Sequence, residues 1–184
     1  ILINNSADPN IGDKRGNTPL HMACKRDDIM MVKFLLHNGA LINKQNNKGE
    51  TAFHIACKNN LISMSIFLVS NGANIESMTN DKSRPIHYAC RKGNTDIVRY
   101  LLHLKAKVNV MTSEKDTPLK ISVLNNNLIL TETLIQAKAN INETYYNKWQ
   151  VVHFAVKNDL FEMVNLLCEY GANLNAVTND KMIA

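Results

Sequence analysis

Apolar residues between positions 29 and 36 fall on one side of a helix. Ile29, Val32, Leu35 and Leu36 have the spacing of a helical stripe that faces its neighbours. Paired apolar residues at the end of this stripe recur every 33 residues, at Leu68-Val69, Leu101-Leu102, Leu134-Ile135 and Leu167-Cys168. The pattern therefore predicts a series of equivalent helices.

A shorter helix is predicted before each stripe. Thr18 precedes Pro19 as an N-cap precedes the first helical residue, because the hydroxyl satisfies a free backbone N–H and proline has none. The equivalent segments read TPLH, TAFH, RPIH, TPLK and QVVH, starting at Thr18, Thr51, Arg84, Thr117 and Gln150. We expect these helices to stop near residues that tolerate the left-handed conformation: Asp27, Asn60, Gly93, Asn126 and Asp159.

Glycine follows the second helix in three of the units, at Gly39, Gly72 and Gly171. Lys105 and Lys138 occupy that position in the other two. A side chain in the left-handed region costs on the order of 1 kcal/mol, so we expect these junctions to be weaker.

The 33-residue unit with T-P-L-H-x-A, followed by segments such as "LLHNGALIN" and "LVSNGANIE", closely resembles the ankyrin repeat family. The resemblance covers essentially the whole chain. It implies an all-α solenoid of helix-turn-helix units joined by β-hairpin loops. We divide residues 1–184, as a single array, into units one to five with a partial repeat at each end (1–12, 13–45, 46–78, 79–111, 112–144, 145–177 and 178–184), and expect the chain to be a fragment of a longer protein.

A histidine recurs at His21, His54, His87 and His153, with Lys120 at the skipped position. Equivalent residues on stacked helices lie about 8–10 Å apart, too far to share a zinc ion at roughly 2 Å per bond. The family resemblance implies a structural role, in which the histidine bonds the threonine hydroxyl of its own unit and the backbone of the next. The predicted structural residues are Thr18, His21, Thr51, His54, His87, Thr117 and His153. Arg84, Lys120 and Gln150 depart from this scheme.

Cys24, Cys57 and Cys90 occupy one position in successive helices. Their expected separation exceeds the roughly 7 Å Cα limit of a disulfide, so we expect free thiols and a cytoplasmic or nuclear location. The sequence shows no catalytic motif, and we predict no enzyme activity, cofactor or metal. It also shows no secretion signal and no apolar run of roughly 18 residues that could span a membrane.

Basic residues give the chain a formal net charge of +5. Six lie at the ends of the first helices: Lys25, Arg26, Lys58, Arg91, Lys92 and Lys157. Lys14, Arg15 and Lys48 lie on the first two hairpins, and Tyr88 is near the row. On one concave face these cations would attract an acidic or phosphorylated protein. Alternatively, they complement the helix dipoles, by about 0.3–1 kcal/mol each.

Aromatic residues cluster on one hairpin, at Tyr145, Tyr146 and Trp149. Large rigid rings in a turn are candidates for binding hot spots, but they are equally explained by packing against a neighbouring hairpin. Single-stranded nucleic acid binders interleave rings with the basic groove. The separation of the two sets here therefore argues against a nucleic acid partner.

The sequence favours a monomeric protein–protein interaction module, a scaffold or adaptor. The alternative is a structural spacer within a longer array attached to an enzyme, channel or ubiquitin-ligase domain.

Overall fold

The computed structural model describes residues 8–179 and residue 183. Within them the helices form five pairs, one pair for each unit. The inner helices are α1 (Pro19–Lys25), α3 (Ala52–Lys58), α5 (Pro85–Arg91), α7 (Pro118–Leu124) and α9 (Val151–Lys157). The outer helices are α2 (Ile29–His37), α4 (Ile62–Ser70), α6 (Thr95–His103), α8 (Leu128–Gln136) and α10 (Phe161–Glu169). Consecutive inner helices pack on one another, as do the outer helices from α4 to α10, which confirms the predicted all-α repeat solenoid.

Helix ends follow the local signals in the sequence. Each inner helix begins directly after its predicted cap residue. The residues predicted to end the inner helices are all left-handed, with φ between 50° at Asn126 and 68° at Gly93. Lys105 and Lys138 also have positive φ, 63° and 68°, as the glycines in their position do.

Space around the outer-helix ends explains why lysine can replace glycine there. A Cβ added at Gly39, Gly72 or Gly171 would meet no other atom within 4 Å. A lysine at this position therefore bears only the backbone cost of the left-handed conformation, and its side chain extends into solvent.

Small residues let the inner helices approach closely. Ala23, Ala56, Ala89, Ser122 and Ala155 are all buried in the stack. Cys24, Cys57 and Cys90 lie beside them as free thiols, also fully buried. Burial raises the pKa of the Cys24 thiol to about 12 and raises those of Cys57 and Cys90 further, so all three are protonated at neutral pH.

Asparagine side chains join the ends of successive units. The Nδ2 of Asn43 donates to the carbonyl of Gly72 at 3.0 Å, and its Oδ1 accepts from the N–H of Asn74 at 2.8 Å. Asn10, Asn109 and Asn142 make the same pair of bonds in their units. Glu76 occupies the remaining position, where it accepts from the Lys107 N–H and pairs with Arg84.

Backbone bonds also link neighbouring hairpins. Asn47 donates to the carbonyl of Arg15 at 3.0 Å, Asn80 to that of Lys48 at 3.0 Å, and Ser113 to that of Asp81 at 2.8 Å. The equivalent N–H of the fifth hairpin, at Tyr146, makes no such bond among the described residues. The hairpin row is therefore interrupted between units four and five.

Candidate binding face

The recurring histidines hydrogen-bond the backbone at the start of their own helices, and three of them also bond a carbonyl further along the chain. The Nδ1 of His21 accepts from the Thr18 N–H at 3.1 Å and the Thr18 hydroxyl at 2.9 Å. Because Nδ1 accepts, Nε2 carries the proton and donates to the carbonyl of Glu50 at 2.9 Å. His87 and His153 make only the backbone bonds: their Nδ1 atoms accept from the Arg84 and Gln150 N–H groups, and their Nε2 atoms donate to the carbonyls of Val110 and Ala176 in their own units.

His54 makes the same cap but leaves one ring atom unpaired. Its Nδ1 accepts from the Thr51 N–H at 3.1 Å, whereas its buried Nε2 has no hydrogen-bond partner among the described residues. Burial lowers the pKa of both His54 and His87 to about 4, so both rings are neutral at pH 7. No group of three His, Cys, Asp or Glu side chains in residues 8–179 or at residue 183 could hold a metal ion.

Unit four replaces the histidine bond with a buried cation. Lys120 donates its backbone N–H to the Thr117 hydroxyl at 3.1 Å, and its Nζ lies 2.8 Å from Asp116 Oδ1. The same Nζ is 5.1 Å from the ring centres of both Tyr145 and Phe154. The ammonium group is therefore neutralised by a carboxylate and two aromatic faces, which compensates for its burial.

Two neighbouring concavities lie between the hairpins and inner helices of units one to three. The first, of about 600 Å³, is lined by residues of units one and two that include Lys14, Arg15 and Lys25. The second, of about 460 Å³, is lined by residues of units two and three that include Arg91 and Lys92. Lys48, Glu50 and Lys58 line both, so the two concavities form one continuous surface, which we call the basic groove.

The fold brings together most, but not all, of the basic residues singled out in the sequence. Lys14, Arg15, Lys25, Lys48, Lys58, Arg91 and Lys92 line the basic groove, together with Tyr88. Arg26 is exposed at the C-cap of α1 and lines neither concavity. Lys157 lies in unit five, with its Nζ 5.2 Å from the Trp149 ring centre.

The basic groove also contains two carboxylates, Glu50 and Asp81, whose position there was not predicted from the sequence. Partial burial raises the pKa of Glu50, but hydrogen bonds from Asn46 and Tyr88 and the charges of Lys58 and Lys48 outweigh it and lower the pKa overall. The pKa of Asp81 is likewise lowered, because hydrogen bonds from Thr79 and Ser83 outweigh desolvation. Both groups are therefore ionised at neutral pH.

Arg91 is held in place at the edge of the second concavity. Its Nη1 donates to the Ser83 hydroxyl at 3.0 Å, and its Nη2 lies 3.9 Å from Asp81 Oδ2. The guanidinium carbon is 5.8 Å from the ring centre of Tyr88. A planar cation fixed in this way retains N–H donors for a further acceptor.

The three aromatic residues of the fifth hairpin have different surroundings. Tyr145 is buried, with its hydroxyl 2.7 Å from the Thr117 hydroxyl, which favours the packing alternative for this ring. Trp149 is half-buried against Phe154, at 5.0 Å between ring centres. Tyr146 is 57% exposed, and the Nζ of Lys115 lies 4.6 Å from its ring centre.

A family model described as ankyrin repeats, in three copies, matches the chain over residues 1–79, 26–112, 62–145 and 86–178. No individual curated protein matches it. Within the part of the chain that the structure describes, no helix has the length and apolar character needed to cross a membrane. Ankyrin repeats are general protein–protein interaction modules built on a non-catalytic scaffold. Because these matches span residues 1–178, the chain belongs to the ankyrin repeat family.

Proposed function

We propose that this array binds an acidic segment of a protein partner in the basic groove. The observation that carries the proposal is the composition of the groove, where seven cationic side chains face two carboxylates, Glu50 and Asp81. An excess of one charge in a concave surface raises the local potential and accelerates encounter with a partner of opposite charge.

Helix dipoles account for only some of these cations. Lys25, Lys58 and Arg91 lie in the last turns of α1, α3 and α5, where a positive charge is favourable in any helix. Lys14, Arg15 and Lys48 lie on hairpins rather than helix ends, yet they line the same groove. Their presence supports a site for an acidic partner.

Charge reversal inside the groove tests the proposal. We expect the Lys25→Glu/Lys58→Glu variant to bind a fluorescein-labelled, glutamate-rich peptide about tenfold or more weakly, because two attractions become repulsions. The matched control is Lys44→Glu/Arg99→Glu, an equal charge change at two exposed residues that line neither concavity. Fluorescence anisotropy gives the affinities, and circular dichroism verifies that both variants fold.

Equal binding by the groove variant and its control would overturn the proposal and favour the structural spacer. A phosphoserine version of the peptide distinguishes the two acidic chemistries. Tighter binding of that peptide would show that the groove prefers phosphate. Displacement of the glutamate peptide by an equally charged oligonucleotide at similar concentration would also count against a protein-specific groove.

We also infer that the protein works as a monomer in a reducing compartment, the cytoplasm or nucleus. Three free buried thiols, at Cys24, Cys57 and Cys90, support the reducing compartment. Sedimentation and cell fractionation test the two parts. Concentration-dependent dimers, or recovery from an oxidising compartment, would contradict them.

A further inference from the structure

Two parallel rows of side chains run along the inner helices, with one member from each unit. The first row consists of Met22, Ile55, Tyr88, Ile121 and Phe154. The second row lies three residues further along each helix and consists of Lys25, Lys58, Arg91, Leu124 and Lys157. Members of both rows from units one to three line the basic groove. The second row is therefore cationic except at Leu124.

Leu124 is an apolar position in an otherwise charged row. Its side chain is 45% exposed, whereas Ile121, its neighbour in the first row, is 6% exposed and part of the core. The adjoining backbone is fixed, because the Nδ2 of Asn125 donates to the carbonyl of Cys90 at 3.1 Å. A partner that follows the row thus meets three cations and then an exposed leucine on a rigid surface.

The spacing of the row selects the conformation of a partner chain. Packed helices lie about 8–10 Å apart, which sets the distance from one member of the row to the next. A polyproline II segment advances about 9 Å in each turn of three residues and returns every third side chain to the same face. A β-strand advances a similar distance in three residues, but side chains three positions apart point to opposite faces of the strand.

The polyproline II conformation is also readily available to a partner chain. It is slimmer than an α-helix, which is about 10–12 Å across, and it is already populated in unfolded chains.

We propose that the partner segment adopts polyproline II conformation and carries acidic side chains at every third position, which pair with Lys25, Lys58 and Arg91, followed by a large apolar side chain against Leu124. This inference rests on the proposed function.

The cations of the row are available for such a partner. Lys25 and Lys58 form no salt bridge with any of the described residues. Arg91 is oriented by Ser83 and Tyr88 and has a carboxylate, Asp81, 3.9 Å from its Nη2, while its other N–H donors remain for a partner. Each cation therefore meets one carboxylate at a set interval, so the spacing of the acids matters as well as their number.

Two peptides of identical composition test the spacing. One carries glutamate at every third position, separated by proline and alanine, and ends in leucine; the other carries the same residues with glutamate at every second position. We expect the first to bind at least about fivefold more tightly, since the second misplaces two of three ion pairs. Their equal net charge keeps long-range attraction the same.

A change at Leu124 tests the apolar position. We expect the wild-type protein to prefer leucine over glutamate after the third acid, and Leu124→Lys to reverse that preference. The control is Ile129→Lys, a similar change at a 62% exposed residue of outer helix α8. An unchanged preference in Leu124→Lys would overturn the assignment of this position.

The only tryptophan reports how far a bound peptide extends. Lengthening the spaced peptide by one further three-residue step that ends in glutamate brings it to Lys157, next to Trp149. We expect the longer peptide to change Trp149 emission and the shorter one to leave it unaltered. Equal signals from both would contradict the proposed alignment.

The outcomes separate this inference from the proposed function. If both isomers bind equally well and both lose affinity in Lys25→Glu/Lys58→Glu, the acidic-partner proposal holds and the three-residue spacing is wrong. If neither isomer binds, both proposals are overturned.

Discussion

The second residue after each outer helix adopts the left-handed backbone conformation, whether it is glycine or lysine. Lys105 has a φ of 63° where Gly39 and Gly72 have 86° and 90°. No atom crowds the glycines, so the difference lies in the backbone energy of a residue with a Cβ. The same reasoning applies to Lys138.

Replacing one of these lysines should stabilise the protein. We expect Lys105→Gly to raise the free energy of unfolding by about 0.5–1 kcal/mol, because relief of left-handed strain exceeds the added entropy of the unfolded chain. Lys107→Gly is the matched control, since Lys107 is also exposed but has ordinary negative φ. Urea denaturation measures both variants. Stabilisation of similar size in both would refute the explanation.

Three inner helices, α1, α5 and α9, share one arrangement, in which the Nδ1 of a histidine accepts a backbone N–H at the start of the helix and its Nε2 donates to a backbone carbonyl further along the chain. His87 accepts from the Arg84 N–H at 3.0 Å and donates to Val110 at 3.2 Å. The bond therefore requires Nδ1 to be unprotonated. Burial favours that neutral form by lowering the pKa.

Acidification should therefore weaken the fold before the carboxylates titrate. The pKa of His54 and His87 is about 4 in the folded protein and about 6.5 in the unfolded chain. The unfolded state binds more protons in this window, so stability is complete above pH 6.5 and declines as the pH falls toward 4. We expect a loss of about 2 kcal/mol between about pH 7 and about pH 5.5, measured by urea denaturation.

Single substitutions test whether the buried histidines cause this pH dependence of stability. His87→Gln should lower stability at pH 7 but remove about half of the loss on acidification, because one titrating ring is gone. His37→Gln, at an exposed site, should leave the pH dependence unchanged. An equal unfolding free energy at both pH values in the wild-type protein would rule out this role for the histidines.

The whole array is held together by rows of bonds that repeat with the units, and one junction departs from the pattern. Hairpin backbone bonds join units one to four and resume after unit five, where Asn179 donates to the carbonyl of Asn147. Between units four and five the described residues show no hairpin bond, and Tyr145, Lys120 and Asp116 make side-chain contacts instead. This junction thus depends more on side chains.

Hydrogen exchange should reveal this difference. The amides of Asn47, Asn80 and Ser113 each donate to a carbonyl of the preceding hairpin. Tyr146 occupies the equivalent position, and its amide makes no such bond among the described residues. We expect the Tyr146 amide to exchange at least about tenfold faster than the other three, as measured by NMR. The three bonded amides serve as internal controls. Equal protection of all four would show that the hairpin row is continuous in solution.

The sequence by itself determined the features that depend on neighbours within one or two turns. The caps at Thr18 and Thr51, the left-handed residues and the apolar stripes follow from local hydrogen bonding and helical periodicity, and the repeat multiplied each signal. For that reason the helix pairs and the solenoid were predictable from the 33-residue register.

Only the tertiary structure decided the environments created by residues about one repeat away. It buried Tyr145 against Thr117, placed Glu50 and Asp81 among the cations, and paired asparagine side chains such as that of Asn43 with the backbone of the next unit. It also separated the cations of the basic groove from Arg26, which follows Lys25 directly but lines neither concavity. These outcomes depend on how stacked units meet, and a pattern within one unit carries no information about which side chains of two units converge.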